Sequence, residues 1–286
     1  MNRKFNRLSL PGMTVSVLFL LLVFAIMVMP MWNVIVLSTS TSFDASSAGI
    51  RLWWNHFSVD GYTFIFQTAH LLRPVANSLY VAIAGTAIQV IISSLAGYVL
   101  IQKGLPFQNA MVTFIMLTMM IPGDLTLVSI YQLNKDLALL NTFTGLIVNG
   151  LISGFSILLM RSYFLSVPLS MAESAKIDGA TELKIFSHIY LPISLPGIAT
   201  ISFLEFVARW NSLMLPATLI SDQKKYTLPL TLKTMILSQS SVSGVVPTPE
   251  NAMMAAIIIS ALPLVFIYAF SQKFLISGMT LGAVKE

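Results

Sequence analysis

Long apolar segments separated by short polar ones dominate this chain. Six of the apolar segments are long enough to cross a bilayer as a helix, which takes about 20 residues. The pattern therefore predicts an all-α polytopic membrane protein with six transmembrane helices. The predicted spans are 13–37, 74–101, 107–132, 142–160, 193–220 and 251–272.

The first apolar segment follows the basic residues Arg3, Lys4 and Arg7 and runs from Met13 to Leu37. A cleaved signal peptide is the alternative interpretation. Its apolar core is usually about 7–15 residues long, and this segment is longer. We therefore predict a first transmembrane helix rather than a signal peptide.

The polar segments between the spans define the predicted domain organisation. Basic residues are somewhat more frequent in the segments that this topology places inside, in agreement with the positive-inside rule. With six spans, both termini lie in the cytoplasm. The predicted segments are a cytoplasmic N-terminus (1–12), an external loop (38–73), a core of the second to sixth spans (74–272) with a cytoplasmic loop (161–190), and a cytoplasmic tail (273–286).

Composition narrows the function classes. The chain has 286 residues, of which 56% are hydrophobic and 9% charged, with a mean hydropathy of +0.83; soluble domains carry about 25% charged residues. The net charge is +5. Basic residues in a membrane protein usually mark its cytoplasmic loops, so this charge does not predict a nucleic-acid partner. The sequence contains no cysteine, no GxxxxGK[ST] phosphate-binding loop and no metal-site pattern among its histidines. We expect any energy source to be a partner protein.

Two predicted spans contain a distinctive local pattern. Ile121–Asp124 introduces a proline, a glycine and an acid into the third span. This break either lies in water near the outer end of the helix or lines a pathway, and the sequence leaves both interpretations of Asp124 open. The spacing Gly150-x-x-x-Gly154 predicts close approach of helix backbones in the fourth span.

The cytoplasmic loop 161–190 predicts two short helices joined by a turn. Ser170 and Glu173 have the spacing of a capping box, and Asp178-Gly179 predicts a left-handed helix end. A second short helix is expected from Thr181 to about Tyr190. A loop folded back on its own bundle is the simplest interpretation of this pattern.

The same segment contains a short pattern of residues: Glu173, Ala175, Asp178, Gly179 and Ala180, followed by Ile189, Pro192 and Pro196. This pattern resembles the EAA loop of binding-protein-dependent ABC import permeases. Ser174 stands where that family usually has alanine. Flanking segments (Ala76–Leu79, Trp210-Asn211, Thr227–Leu230 and Gly278–Lys285) are similar to the carbohydrate-uptake branch, so the resemblance covers nearly the whole chain.

The resemblance implies the type I ABC importer transmembrane fold and a role in the ATP-driven import of a sugar, most readily an oligosaccharide or polysaccharide. It implies a bacterial cell membrane location and no catalysis or bound cofactor in this chain, since ATP and Mg²⁺ are used by partner ATPase subunits. The implied partners are a second permease, two ATP-binding subunits, an extracytoplasmic sugar-binding protein, the sugar and membrane lipid. The implied coupling residues are Glu173, Ser174, Ala175, Asp178, Gly179 and Ala180.

Polar residues in the fifth span form a second candidate site. Glu205 and Arg209 are four residues apart, so a helix places them on one face as a favourable ion pair. We expect this pair to be structural, and direct contact with the substrate in the transport pathway is the alternative. Trp210 and Asn211 could offer a stacking face and a hydrogen bond to a sugar ring, with packing as the alternative.

Two rival functions belong to other classes. An ion-gradient-driven secondary transporter predicts inverted repeats and carboxylates near mid-membrane, and no convincing repeat is present. A membrane scaffold or sensor predicts a sizeable soluble domain, and the chain has none.

Overall fold

The computed structural model describes residues 10–47, 49–67, 69–239 and 248–283. The predictions for residues 1–9 and 284–286 lie outside these residues. Every regular element in the described part is helical. The chain divides into two compact units. The first contains residues up to 71 together with 234–261, and the second contains 72–233 together with the segment from 262 onward.

The first unit begins with the long helix α1 (Leu10–Ser38). The short helices α2 (Ser42–Ala45) and α3 (Asp60–Gln67) follow in the predicted external loop. Trp54 organises this loop, with ring centroids 6.0 Å from Trp32 and 5.1 Å from Trp53. The loop is therefore a folded element with an aromatic centre of its own.

Asp44 is the polar centre of the same loop and is buried. It accepts hydrogen bonds from His56 at 3.0 Å and from Arg51 at 3.2 Å. The contact with His56, followed by those with Thr41 and Arg51, holds the pKa of the Asp44 carboxyl below its usual range. Asp44 is thus expected to stay ionised at neutral pH.

The second unit is a helical bundle around α4 (Leu72–Val99), which packs against α8 (Gly154–Leu165) and α12 (Leu195–Trp210). The face of α4 that is buried carries small and polar residues, among them Gly85 and Gln89, and this permits close helix contacts. The other helices of the unit are α5 (Gln108–Thr118), α6 (Leu127–Asp136), α7 (Phe143–Val148), α9 (Leu169–Ile177), α10 (Glu182–Ile185), α11 (Leu191–Ile193) and α13 (Met214–Leu219).

Two further helices run through both units. They are α14 (Leu228–Gln239) and α15 (Glu250–Ala283). The predicted sixth span, 251–272, lies within α15, whose membrane-length apolar part is Glu250–Phe274. The helix itself continues to Ala283 without a break. No proline or glycine lies between Gln272 and Ser277, so nothing in the local sequence stops the helix there.

The third, fourth and fifth predicted spans are not continuous helices. The fifth, 193–220, is divided between α12 and α13 at residues 211–213. The third is divided by a 3-10 helix at Gly123–Thr126, where the sequence predicts a break. The fourth is divided at residues 149–153, and the prediction of one helix over 142–160 is wrong. Ser153 caps α8 by accepting from the Ser156 N–H, which starts a new helix at Gly154. Gly150 and Gly154 therefore do not share one helix face.

Helix length alone accounts for fewer than six spans in the described residues. Three helices are long and apolar enough to cross a membrane: Gly12–Ser38, Leu72–Val99 and Glu250–Phe274. Two bent helix pairs, with angles of 74° and 77°, raise this number to five. The six-span topology stays a prediction.

Candidate functional site

The first candidate site is the loop between α8 and α12, residues 161–190. Its helix α9 begins at Leu169, with Pro168 as the residue before it and no side-chain cap. The predicted capping box is therefore wrong, because Ser170 lies inside the first helical turn and cannot precede it. The Glu173 carboxylate instead accepts from the Lys103 ammonium at 3.3 Å.

The end of α9 agrees with the prediction. Gly179 has φ +77°, a left-handed conformation that side chains other than glycine rarely adopt. Its N–H donates to the Lys176 carbonyl at 3.0 Å, and the Ala180 N–H donates to the Ala175 carbonyl at 2.9 Å. These two bonds form a Schellman motif. The Thr181 hydroxyl then caps α10 by accepting from the Lys184 N–H, so the two helices are joined by a tight turn.

An aromatic cluster packs against the buried face of the loop. Tyr98 of α4 has its ring centroid 5.0 Å from those of Phe186 and Tyr190 and 6.2 Å from that of Phe164. Ala172 is buried against this cluster, and Ala175 and Ala180 pack on its edge. Larger side chains at these positions would lift α9 away from the bundle. Residues Phe186–Tyr190 form a π-helical turn that leads back into the bundle.

A second ion pair joins the two helices of the loop. Lys176 and Glu182 are 2.5 Å apart, and the Tyr98 hydroxyl donates to the second Glu182 oxygen at 2.7 Å. The Lys176 ammonium, and after it the Tyr98 hydroxyl, hold the pKa of Glu182 below its usual range. Glu182 therefore stays ionised at neutral pH and links α9, α10 and the end of α4.

The outer face of the loop is exposed. Glu173, Ser174, Asp178 and Gly179 all lie at the surface. Ile177, at the end of α9, is 87% exposed, although isoleucine is among the residues most often buried. The loop thus presents an apolar tip on a helix whose inner face is firmly packed.

The second candidate site is centred on Arg209 of α12. Its Nε and Nη2 donate to the Gln89 Oε1 at 3.2 and 2.8 Å. Its Nη1 donates to the Ile147 carbonyl at 3.4 Å, and Nη2 donates to the Gly150 carbonyl. Both carbonyls lie at the C-terminal end of α7, where a cation is favourable. Arg209 therefore joins α12, α4 and the break between α7 and α8.

The predicted ion pair between Glu205 and Arg209 is not formed. No oxygen of Glu205 lies within salt-bridge distance of Arg209, and Glu205 accepts from the Ser156 hydroxyl instead. The spacing placed both residues on one helix face. The guanidinium is instead hydrogen-bonded to neutral oxygens of other segments of the chain.

Two glycines make room for the guanidinium. A Cβ at Gly85 would lie 2.5 Å from the Arg209 Nη1, and one at Gly150 would lie 3.0 Å from its Nη2. Sequence reasoning missed Gln89 and both glycine roles. A glutamine in the middle of an apolar span is the signal that could have found this contact.

The other predicted residues lie elsewhere. Trp210 is only 2% exposed and stacks on Phe206 at 5.9 Å, so the predicted stacking face for a sugar is not accessible. Asn211 is exposed at the C-terminal end of α12. Asp124 lies in the 3-10 helix, and its side chain is outside the described part of the structure.

Comparison with known proteins agrees with this architecture. Residues 89–281 match the family described as binding-protein-dependent transport system inner membrane component. The chain belongs to this family. The membership confirms the expectation drawn from the loop motif, and the chain is an inner membrane transport component with several apolar helices.

Relatives of this inner membrane component cover nearly the whole chain. It is 33% identical over 93% of its length, and 96% of the relative, to the polygalacturonan/rhamnogalacturonan transport system permease protein YtcP of Bacillus subtilis. The chain is also 27% identical to the arabinooligosaccharides transport system permease protein AraQ of Halalkalibacterium halodurans, over 91% of its own length and 92% of the length of that relative.

A solved structure has the same fold. It is a chain of a bacterial ABC transporter involved in the import of the acidic polysaccharide alginate, with a TM-score of 0.86 and 22% identity. The match covers 96% of this chain and all of that one. The expected type I ABC importer transmembrane fold is confirmed.

Proposed function

We propose that this chain is the permease subunit of an ATP-driven importer for an oligosaccharide or polysaccharide. The observation that carries the proposal is the exposed, rigidly held tip of α9, with Ile177 87% exposed. An apolar side chain on a packed helix suits a contact with a partner protein. The names of the relatives, which are permeases for galacturonan and arabinooligosaccharides, support the sugar class.

In this function the chain does not catalyse a reaction. Partner ATPase subunits use ATP and Mg²⁺, and a second permease completes the pathway. An extracytoplasmic binding protein delivers the sugar. The bacterial cell membrane holds the chain with both termini and the loop 161–190 on the cytoplasmic side. The coupling contacts come from Glu173, Ser174 and Asp178 around Ile177, with Gly179 fixing the turn.

The packing of the loop supports a lever role. Ala172 and the Tyr98 cluster attach α9 to α4 and α8, so a push on α9 acts on the whole bundle. The chain returns to α12 through the π-helical turn and a 77° bend. A displacement of α9 by an ATPase partner therefore reaches Arg209, because α12 carries that residue.

The test is a substitution at the tip. In a complex reconstituted in proteoliposomes, Ile177→Asp should lower sugar-stimulated ATP hydrolysis at least tenfold, since burying an isoleucine contributes about 1.5–3 kcal/mol. Ile177→Leu keeps the apolar surface and serves as the matched control, with near-normal hydrolysis. Equal hydrolysis in wild type and Ile177→Asp would show that this surface does not couple to the ATPase.

A further inference from the structure

The external loop of the first unit presents an apolar edge, formed by Ile50, Leu52 and Trp53. These three side chains are 66%, 50% and 70% exposed. They lie within four consecutive residues, and the Trp53 ring is held edge-to-face against Trp54, with the centroids 5.1 Å apart. A contiguous apolar surface of this kind marks a contact with another protein or with a membrane.

Helix α1 shows where lipid ends in this unit. None of residues 13–31 is buried, although the segment is almost entirely apolar. Trp32 is partly buried, and Val36 and Ser38 are fully buried. A helix that is apolar on every side needs either a protein core or lipid around it. The exposed part of α1 is therefore the part that lipid covers, and folded protein begins near Trp32.

The length of the exposed part fits a bilayer. The segment from Met13 to Trp32 has 20 residues. At about 1.5 Å per residue it is about 30 Å long, which equals the thickness of the hydrocarbon core. Trp32 thus lies at the outer boundary of that core, and tryptophan is enriched at this depth.

The external loop returns to the same boundary. The Trp32 Nε1 donates to the Leu52 carbonyl at 2.9 Å, and the Asn33 Nδ2 donates to the Arg51 carbonyl at 3.0 Å. These two bonds hold the backbone of the apolar edge at the level of Trp32. They also satisfy two carbonyls close to a region without water, where an unpaired carbonyl is costly.

The charge within this segment is neutralised in the same way. Arg51 lies between Ile50 and Leu52, and its guanidinium pairs with the Asp44 carboxylate at 3.2 Å. Their side chains are only 21% and 5% exposed. Pairing reduces the cost of a charge near hydrocarbon. The edge therefore presents its apolar side chains outward while its charge is satisfied inside the loop.

We propose that the apolar edge inserts into the headgroup layer of the outer leaflet and anchors the external loop to the lipid surface. Leu52 and Trp53 contact the start of the acyl chains, continuous with the lipid around α1. Trp53 suits this depth because its indole combines an apolar body with a polar N–H. The inference goes beyond the proposed import function and does not depend on the transported substrate.

The test measures the depth of single labels. The chain contains no cysteine, so one introduced cysteine can carry a nitroxide at a chosen position. The labelled full chain is reconstituted in vesicles of phosphatidylethanolamine and phosphatidylglycerol, alone and with its partner subunits. Leu52→Cys reports on the edge, and Ile50→Cys is a second variant that detects any local effect of the Leu52 substitution.

Two reference positions define the depth scale. Leu20→Cys, at a side chain 64% exposed in α1, marks the hydrocarbon core. Asp60→Cys marks water, because Asp60 is exposed and follows Ser58, whose N–H donates to the Thr39 carbonyl at 2.9 Å. Thr39 is seven residues beyond Trp32, which is about 10 Å further out along the helix.

The readout is the ratio of nitroxide collisions with oxygen, which concentrates in lipid, to collisions with a water-soluble nickel chelate. The ratio should rise from Asp60 to Leu52 and again from Leu52 to Leu20, and Ile50 should resemble Leu52. Addition of the extracytoplasmic binding protein should leave the Leu52 ratio unchanged, since lipid already covers the edge.

Three other outcomes have separate meanings. Ratios at Leu52 and Ile50 equal to that at Asp60 overturn the anchor. A Leu52 label that is in water at first and becomes shielded only after the binding protein is added also overturns it, and makes the edge a protein-docking surface. The expected ratios in a complex that imports no sugar support the anchor and overturn the proposed function alone.

Discussion

The loop 161–190 and the Arg209 cluster use charged residues in opposite ways. Glu173 of the loop forms an ion pair with Lys103, which lies outside the loop, and both side chains are largely exposed to solvent. Such pairs are worth about 0–1 kcal/mol. In the cluster, a partly buried guanidinium is bonded to neutral oxygens of three other segments. Backbone geometry and aromatic packing hold the loop, whereas one side chain holds the helices of the cluster together.

The two regions should therefore respond differently to the removal of a charged side chain. Loss of a loop charge leaves its partner in water, which solvates it. Loss of the Arg209 guanidinium leaves the Gln89 Oε1 and the Gly150 carbonyl without a donor among the described residues, inside a packed bundle. The Ile147 carbonyl still accepts from the Gly150 N–H at 3.3 Å. For the stability of the fold, a charged side chain is therefore expected to be dispensable in the loop and essential in the Arg209 cluster.

The largest effect is expected for Arg209→Ala. Leaving a buried hydrogen-bonding group without its partner typically costs about 1–3 kcal/mol, and both the Gln89 Oε1 and the Gly150 carbonyl lose the Arg209 donor here. Heating the detergent-solubilised protein and measuring the folded fraction by size-exclusion chromatography should show a strongly lowered midpoint. Arg209→Lys keeps the charge but lacks the planar guanidinium fork. Its unfolding midpoint should therefore lie between those of the wild type and Arg209→Ala. A midpoint like that of the wild type would refute the structural role of this cluster.

Gly179→Val is expected to lower the stability less than Arg209→Ala but to abolish coupling to the ATPase. A valine at φ +77° costs about 1–3 kcal/mol of local strain, and no atom lies within 4 Å of the added Cβ. The protein should still insert into the membrane, while sugar-stimulated ATP hydrolysis by the complex is lost because the turn after α9 changes.

Gly104→Val is the matched control for that substitution. Gly104 has φ +84° and equally open surroundings, but it lies outside the loop 161–190. Its strain should be similar and its effect on hydrolysis small. If both variants lose hydrolysis alike, backbone strain in general, and not the turn at Gly179, explains the defect.

The smallest effect is expected for Lys103→Ala. It removes the ion pair with Glu173, whose side chains are 75% and 56% exposed, and should change stability by less than about 1 kcal/mol. The heating assay used for Arg209→Ala measures both variants on one scale. A Lys103→Ala loss that matched the Arg209→Ala loss would contradict the contrast between the regions.

The sequence by itself determined the helical membrane character, the family and the turn at Gly179. These follow from local properties: apolar segments of bilayer length, a short motif and a glycine that tolerates a left-handed conformation. The same locality explains two errors. Ser170 and Glu173 had the spacing of a capping box, but the helix starts one residue before Ser170, and the break at 149–153 carries no proline.

Only the tertiary structure decided the partners of Arg209 and Glu205. Spacing placed these two residues on one helix face, yet Gln89 lies 120 positions away from Arg209 and Ser156 lies 49 positions from Glu205. Room for the guanidinium comes from Gly85 and Gly150, which no local pattern connects to Arg209. A charged group in a packed bundle binds the acceptors that folding brings to it, and their identity depends on how several helices meet.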